Sequence, residues 1–155
     1  MTMTDKAKKA SELFLMGYGC SQSILGAFAD EAGIDQKTAM KIASGFGGGM
    51  GRMREVCGAM TGSFMVLGLI YGFDQPSAAK KAQIYEHIKA VADEFKKQSN
   101  TIICRELLQN VKITVGSVPE ERTDDYYKRR PCLAHIIRAA EILEDYINTH
   151  PKENI

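Results

Sequence analysis

The chain has 155 residues, of which 45% are hydrophobic, and its 20 Lys and Arg residues nearly balance its 19 Asp and Glu residues. A chain of this length buries roughly 70% of the surface that it exposes when unfolded, so it forms a core without cross-links. The net charge of +1 argues against a nucleic-acid-binding protein, because such proteins carry a basic surface. We therefore expect one domain over residues 1–155, with its core at about residues 5–148, and no nucleic-acid partner.

The N-terminal residues contain lysines but no continuous apolar segment or small-residue cleavage site. They therefore predict no signal peptide, and a cytoplasmic protein. The uncharged run 56–73 is marginal for a membrane span, which needs about 20 strongly apolar residues, and it contains Thr61 and Ser63. A buried central helix without a membrane span is the better interpretation. Gly58 and Gly62 at i and i+4 would let a neighbouring helix approach closely.

Apolar residues recur at helical spacing in the first two thirds of the chain, and no pair of strands is indicated. The spacing predicts helices over 5–17, 20–32 and 56–71. Gly33 is a stop signal, and Asp35 is the N-cap of a short helix that ends at Ala43. The segment 74–76 starts a long amphipathic helix. Its predicted apolar face consists of Ala78, Ala82, Tyr85, Ile88, Ala92 and Phe95.

The last third of the chain predicts two more helices separated by irregular chain. A short helix covers 104–109, residues 111–115 are extended, and 116–130 form a long loop, with the basic run 128–130 in solvent. Pro131 is placed for the N-terminus of a final helix that ends at 150–151. Its apolar stripe consists of Leu133, Ile136, Ile137, Ala140, Leu143 and Ile147. The predicted fold is an all-α, single-domain helical bundle with a buried, glycine-containing central helix.

The four cysteines share a position relative to these helices. Each one falls at or near the start of a separate predicted helix and begins its apolar stripe: Cys20, Cys57, Cys104 and Cys132. The free N–H groups and the helix dipole at such a position stabilise a thiolate, which lowers the thiol pKa. Thiolate is the form that attacks disulfides and binds metals. Because the stripes face one core, we expect the four sulfurs to converge at one end of the bundle.

The segments around the cysteines resemble a known family. Cys57-Gly58-Ala59-Met60-Thr61-Gly62 matches the CGAxxG motif of the redox-active family labelled C_GCAxxG_C_C, and one further cysteine precedes it and two follow, in the family's order. The residues 17–22, 46–51 and 104–107 are also similar to that family. The resemblance extends from about Ala10 to Leu143. It implies a redox role based on the cysteines. A relative of this domain occurs in split-Soret cytochromes, but this chain has no CxxCH motif, so we expect no haem.

Seven glycines surround the central cysteine between residues 45 and 62. If the cysteines bind an iron-sulfur cluster, main-chain N–H groups in this segment would donate to its sulfurs, and the small residues would make room for it. The predicted cofactor-binding residues are Gly47, Gly48, Gly49, Gly51 and Gly58. The same segment suits a phosphate, but it matches neither Walker A nor GxGxxG, so nucleotide binding is a poor alternative.

Structural explanations exist for the same residues. Buried cysteines are often small hydrophobic residues, and glycines serve helix connections and close packing. Arg52 and Arg54 would neutralise an anionic centre, although surface arginines are the ordinary explanation. His135 lies three residues after Cys132, which is a feasible metal geometry, although helix histidines are more often partly exposed polar residues.

Three functions are consistent with this pattern. In the first, Cys20, Cys57, Cys104 and Cys132 bind a metal, most plausibly an iron-sulfur cluster, although zinc fits four thiolates equally well. In the second, two of the cysteines form a metal-free dithiol and disulfide couple. Both imply a redox partner. In the third, the protein is a non-catalytic helical interaction module, for example a homodimer.

Overall fold

Residues 2–152 are described by a computed structural model of the chain. Residue 1 and residues 153–155, which the predicted domain includes, lie outside this range. The described part is all-α: it has nine helices and no strand, and Val56 and Ile103 form an isolated β-bridge. The helices are α1 Asp5–Leu15, α2 Cys20–Ala27, α3 Ala29–Ala32, α4 Gln36–Ala43, α5 Gly58–Tyr71, α6 Ala78–Ser99, α7 Cys104–Leu107, α8 Asp124–Arg129 and α9 Cys132–Thr149.

Local capping residues explain where several helices begin and end. The side chain of Asp35 accepts a hydrogen bond from the N–H of Thr38, so the predicted N-cap of α4 is confirmed. Thr4, Ser77 and Thr123 cap α1, α6 and α8 in the same way. Gly33 ends α3 with φ of 77°, which a glycine adopts without the steric cost of a side chain. The helix boundaries therefore follow signals within a few residues of each end.

Two predicted helices differ from the observed ones. The helix expected over 20–32 is divided into α2 and α3 at Phe28, whose backbone is non-helical (φ −103°, ψ 12°). The central helix begins at Gly58 instead of Val56. The reason is that Val56 bridges to Ile103, and the N–H of Cys57 donates to the carbonyl of Ile102 at 2.8 Å. These long-range bonds hold the two residues before α5 in extended conformation.

The predicted apolar face of α6 is wrong in its first half. Ala78 and Ala82 are exposed, and Tyr85 is 57% exposed. Only the second half of α6 contributes buried residues, among them Ala92 and Phe95. Packing against α5 and α9 therefore buries only the second half of this helix. The spacing of apolar residues does not show how far along α6 the neighbouring helices extend.

The long loop predicted over 116–130 is also wrong, because it contains α8. Thr123 caps this helix, Asp124 and Asp125 occupy its first turn, and Lys128 and Arg129 occupy its last turn. These charges complement the helix dipole, so the signal was present in the sequence. The extended conformation predicted for residues 111–115 is consistent with the structure, which has neither helix nor strand there.

The glycine-containing helix α5 lies at the centre of the bundle, as predicted. It packs against α2, α3, α6 and α9, while α1 packs against α2 and α9. A Cβ atom added to Gly62 would lie 2.8 Å from the carbonyl oxygen of Ser21, so α2 and α5 approach closely because the residue is glycine. Within residues 2–152, none of the helices combines the length and apolar character that a membrane crossing requires.

Candidate functional site

All four cysteines lie at the start of a helix, as predicted. Cys20, Cys104 and Cys132 are the first residues of α2, α7 and α9, and Cys57 is the N-cap of α5. Their thiols are free. All four line one cavity of about 480 Å³. Tertiary structure thus collects four cysteines that are far apart in the chain around a single space.

The predicted glycines form one wall of this cavity. Gly47, Gly48, Gly49 and Gly51 line it from the loop between α4 and α5, and Gly58 lines it from the first turn of α5. Five consecutive residues of the loop have left-handed backbone conformations, with φ between 60° and 71°. They are Gly48, Gly49, Met50, Gly51 and Arg52.

Residues with side chains are strained in this conformation. The left-handed region costs an L-residue roughly 1–2 kcal/mol, and Met50, Arg52 and Arg54 all adopt it. Residues keep such an unfavourable backbone conformation only where the surrounding structure holds them in it, and these residues are common at functional sites. The loop therefore has a shape that local preferences alone would not produce.

The loop leaves some of its main-chain donors without partners. Among residues 2–152, no hydrogen-bond acceptor is found for the N–H groups of Gly47, Gly48 and Gly49. In contrast, the N–H of Gly51 donates to the carbonyl of Gly45 at 2.8 Å. Gly51 therefore contributes to the shape of the cavity, and the three preceding glycines supply the free donors.

Two of the glycines are required by the cysteines next to them. A Cβ atom at Gly49 would lie 2.6 Å from Cys104 Cβ, and one at Gly58 would lie 2.8 Å from Cys20 Cβ. Real Cβ atoms essentially never come this close to another atom. These glycines allow the main chain to pack directly against the cysteines.

Two of the four cysteines interact directly. Cys20 and Cys132 both line the cavity, and hydrogen bonding between their side chains changes the pKa of each. This bond, aided by the nearby charge of Arg130 and opposed by burial, lowers the pKa of Cys132 to about 7. The same bond, together with burial, raises the pKa of Cys20 well above its usual value. Cys132 is therefore the more acidic thiol of the pair, and Cys20 is the less acidic one.

The expectation of a lowered pKa is wrong for the other cysteines as well as for Cys20. Burial raises the pKa of Cys57 to about 12, although the N–H groups at the start of α5 act in the opposite direction. Burial also raises the pKa of Cys104, and the neighbouring Arg54 opposes this only in part. In the absence of a ligand, desolvation of the charged form outweighs the stabilisation at these helix starts.

Two buried arginines lie beside the cysteines. Arg54 is only 9% exposed, and its Nη1 lies 3.9 Å from Cys104 Sγ. Arg130 is 8% exposed, and its charge and hydrogen bonding help to lower the pKa of Cys132. It also pairs with Glu120 at 3.1 Å. The interpretation of Arg54 as a surface arginine is therefore wrong, and so is the placement of Arg130 in a solvated basic run.

Arg130 is buried because tertiary contacts cover it. Its guanidinium carbon lies 4.6 Å from the centre of the Tyr126 ring. Tyr126, Glu120 and Arg122 line the same cavity and were not identified from the sequence. Prediction of α8 from the sequence would have indicated that Tyr126 is buried, and that Arg130 directly follows this helix.

Residues 111–123, which we call the strap, contribute to another wall of the cavity and are attached by arginines at both ends. Arg52 donates to the carbonyls of Thr114 and Gly116, and Arg54 also donates to the Thr114 carbonyl. At the other end, Arg122 donates to the carbonyls of Phe14 and Tyr18, at 3.0 and 3.1 Å. The strap is thus held by side-chain bonds, with no helix or strand of its own.

His135 also lines the cavity. Burial, together with the charge of Arg138, lowers its pKa to about 4. Its Nδ1 lies 3.4 Å from Nη1 of Arg138. The imidazole is therefore neutral at neutral pH, which is the form that binds metals.

The four sulfurs surround the cavity instead of meeting at one point. Within residues 2–152, no three His, Cys, Asp or Glu side chains are grouped closely enough to hold a single metal ion. A tetrahedral zinc site requires four sulfurs at about 2.3 Å from one point. The side chains are therefore not arranged for one zinc ion in this conformation.

Comparison with known proteins identifies the family. The sequence model of the family described as "Putative redox-active protein (C_GCAxxG_C_C)" matches residues 18–146, which include all four cysteines. Comparisons with curated proteins and with solved structures give no match. Because the match covers most of the chain, the resemblance seen in the sequence is confirmed: the chain belongs to the C_GCAxxG_C_C family.

Proposed function

We propose that this protein is a redox protein in which Cys20, Cys57, Cys104 and Cys132 bind an iron-sulfur cluster. The observation that carries the proposal is that four cysteines, each at the start of a different helix, line one cavity. Iron-sulfur clusters are held by cysteine thiolates, commonly four of them. The redox description of the family supports the same chemistry.

The surroundings of the cysteines fit such a group. A cluster with four thiolate ligands is anionic, and Arg54 and Arg130 are buried cations next to Cys104 and Cys132. Gly47, Gly48 and Gly49 supply N–H donors, and Gly49 and Gly58 leave space beside two of the cysteines. The spread of the sulfurs around a cavity supports a polynuclear centre over a single zinc ion.

The protein residues would have separate roles around the cluster, which when bound supplies one-electron transfer. The cysteines hold it, and burial of Cys57 and Cys104 limits the access of water. The guanidinium groups of Arg54 and Arg130 favour the more negatively charged state of the centre. Hydrogen bonds and nearby positive charge thus raise the reduction potential.

A second candidate function is metal-free thiol and disulfide exchange, which the hydrogen bond between Cys20 and Cys132 favours. The Cys132 thiolate would attack a substrate disulfide and form a mixed disulfide, and the released substrate thiolate would take the proton of Cys20. The resulting Cys20 thiolate would then attack Cys132 and release the second substrate thiolate. The substrate disulfide gains two electrons and becomes one thiol and one thiolate, while Cys20 and Cys132 become a disulfide.

Anaerobic purification followed by an absorption spectrum and assays of iron, acid-labile sulfide and zinc per chain tests the first proposal. We expect iron with sulfide and a broad visible band, and no iron in the variant with all four cysteines replaced by serine. A colourless, metal-free wild-type protein would overturn the cluster proposal. Titration of its thiols before and after oxidation would then test the second candidate, which requires loss of two thiols together, at Cys20 and Cys132.

A further inference from the structure

The charges that line the cavity are strongly unbalanced. Four arginines line it, Arg52, Arg54, Arg122 and Arg130, and the only lining carboxylate within residues 2–152 is that of Glu120. Glu120 already pairs with Arg130 at 3.1 Å. It also accepts a hydrogen bond from the N–H of Thr114. The arginines that line the cavity thus outnumber its one lining carboxylate within residues 2–152.

Arg54 is the least compensated of these cations. Arg52 and Arg122 bind backbone carbonyls, and Arg130 has Glu120. The hydrogen-bonding partners of Arg54 within residues 2–152 are the Cys104 sulfur and the carbonyl of Thr114, and it forms no ion pair there. Burying a guanidinium without a counter-charge is unfavourable, so the site is suited to an anion.

The glycine loop supplies neutral donors to the same space. The N–H groups of Gly47, Gly48 and Gly49 have no acceptor among residues 2–152. Successive main-chain N–H groups in a turn form concave sites that bind anions. Unused N–H groups and a buried, uncompensated arginine are two independent features of one cavity, and both select for negative charge.

We propose that this cavity binds a small oxyanion, held by the N–H groups of Gly47–Gly49 and by Arg54, with the charge of Arg130 in the same cavity. The volume of about 480 Å³ lies within the range of roughly 300–1,000 Å³ that is usual for small-molecule sites. Arginine is suited to oxygen anions because its planar donors match two oxygens at once. The same donors lie beside the cysteines of the proposed cluster, so the inference goes beyond that proposal by assigning these donors a separate oxyanion, which would bind with or without a cluster.

Calorimetric titration of the purified full chain at low ionic strength tests the site, with inorganic phosphate, sulfate and acetate as separate probes. We expect saturable binding of one anion per chain, and the probe that binds best distinguishes a tetrahedral oxyanion from a carboxylate. Arg54→Gln should weaken binding about tenfold or more, as loss of a charged hydrogen bond predicts. Arg105→Gln is the matched control, because Arg105 is half exposed, pairs with Glu55 and does not line the cavity.

The variant with four serines separates this inference from the cluster proposal. Retained anion binding in that variant, together with loss in Arg54→Gln, supports the oxyanion site even if no cluster is ever found. Absence of saturable binding in the wild type, or equal weakening by Arg105→Gln, overturns it. Binding by cluster-free protein but not by cluster-loaded protein also overturns it, because the donors would then serve the cluster. Arg130→Gln is the second variant if Arg54→Gln does not fold.

Discussion

Cys20 and Cys132, the first residues of α2 and α9, line the same cavity, and hydrogen bonding between their side chains shifts the pKa of each. The two helix starts therefore meet at the cavity, although the chain between them contains most of the fold. The bond makes the two thiols unequal: the pKa of Cys132 falls to about 7, and that of Cys20 rises. One thiolate next to one thiol is the arrangement required for directed thiol chemistry.

The metal-free protein should have one reactive cysteine near neutral pH. With a pKa of about 7, Cys132 is about half thiolate at pH 7, so its alkylation rate should rise between pH 6 and 8 and then level off. Cys57, with a pKa of about 12, should react slowly throughout this range. The measurement is the rate of iodoacetamide labelling of each cysteine peptide by mass spectrometry.

The variant Cys20→Ala checks the cause of this reactivity. Loss of the donated hydrogen bond destabilises the thiolate, so the rise in Cys132 labelling should move to higher pH. An unchanged pH profile in Cys20→Ala would mean that the pair does not control Cys132. Arg130→Gln should shift the profile in the same direction, because its positive charge also favours the thiolate.

Replacing Gly58 by alanine should destabilise the protein and displace Cys20. The new Cβ would lie 2.8 Å from Cys20 Cβ and 2.9 Å from the main-chain nitrogen of Ser21, and neither atom is the end of a flexible side chain. We expect the free energy of unfolding to fall by about 1–3 kcal/mol, as for other overpacked sites. Denaturant unfolding measures the change.

Gly68→Ala is the control in the same helix. No atom lies within 4 Å of the position of its Cβ, and the residue is exposed. It should stabilise the protein by roughly 0.5–1 kcal/mol, since alanine is the better helix former. Equal effects of the two substitutions would show that close packing of α2 against α5 does not depend on Gly58.

Gly49→Ala should be more damaging than any other alanine substitution in the glycine loop. Its Cβ would meet Cys104 Cβ at 2.6 Å and the nitrogen of Glu55 at 2.7 Å, and its φ of 71° is unfavourable for alanine. Overpacking and the left-handed backbone together suggest a loss of about 2–5 kcal/mol in unfolding free energy.

Gly45→Ala is the matched loop substitution. Gly45 has no positive φ and no atom within 4 Å of its Cβ position, so the change in stability should stay within about 0.5 kcal/mol. Urea unfolding of both variants makes the comparison. Similar stability of Gly49→Ala and Gly45→Ala would contradict the close contact between the loop and Cys104.

Arg52→Ala should loosen the strap, residues 111–123, without unfolding the bundle. Arg52 bonds to Thr114 and Gly116 from an exposed position, so its loss should change the global stability by only about 1 kcal/mol. Amide hydrogen exchange at Thr114, whose N–H donates to Glu120, should become faster. Arg105→Ala should leave exchange in the strap unchanged; equal protection in both variants would mean that Arg52 does not hold it.

Local signals in the sequence account for the parts of the fold that were predicted correctly. Asp35 caps α4 because its side chain accepts a hydrogen bond from a backbone N–H of the first turn. Gly33 ends α3 because a residue without a side chain adopts a positive φ at low cost. The cysteines at helix starts follow from the same boundaries. The apolar face of α6 was predicted wrongly because Tyr85 has the correct spacing but no helix against it.

The sequence by itself thus determined the family, the all-α class and the four cysteines at helix starts, because these depend on motifs and on periodicity along the chain. Only the tertiary structure decided which arginines are buried and which cysteine is ionised. Arg130 belongs to a basic run in the sequence, but Tyr126 and Glu120 enclose it in the fold. The pKa of Cys132 depends on Cys20, on burial and on Arg130, and the distances between these groups are set by packing.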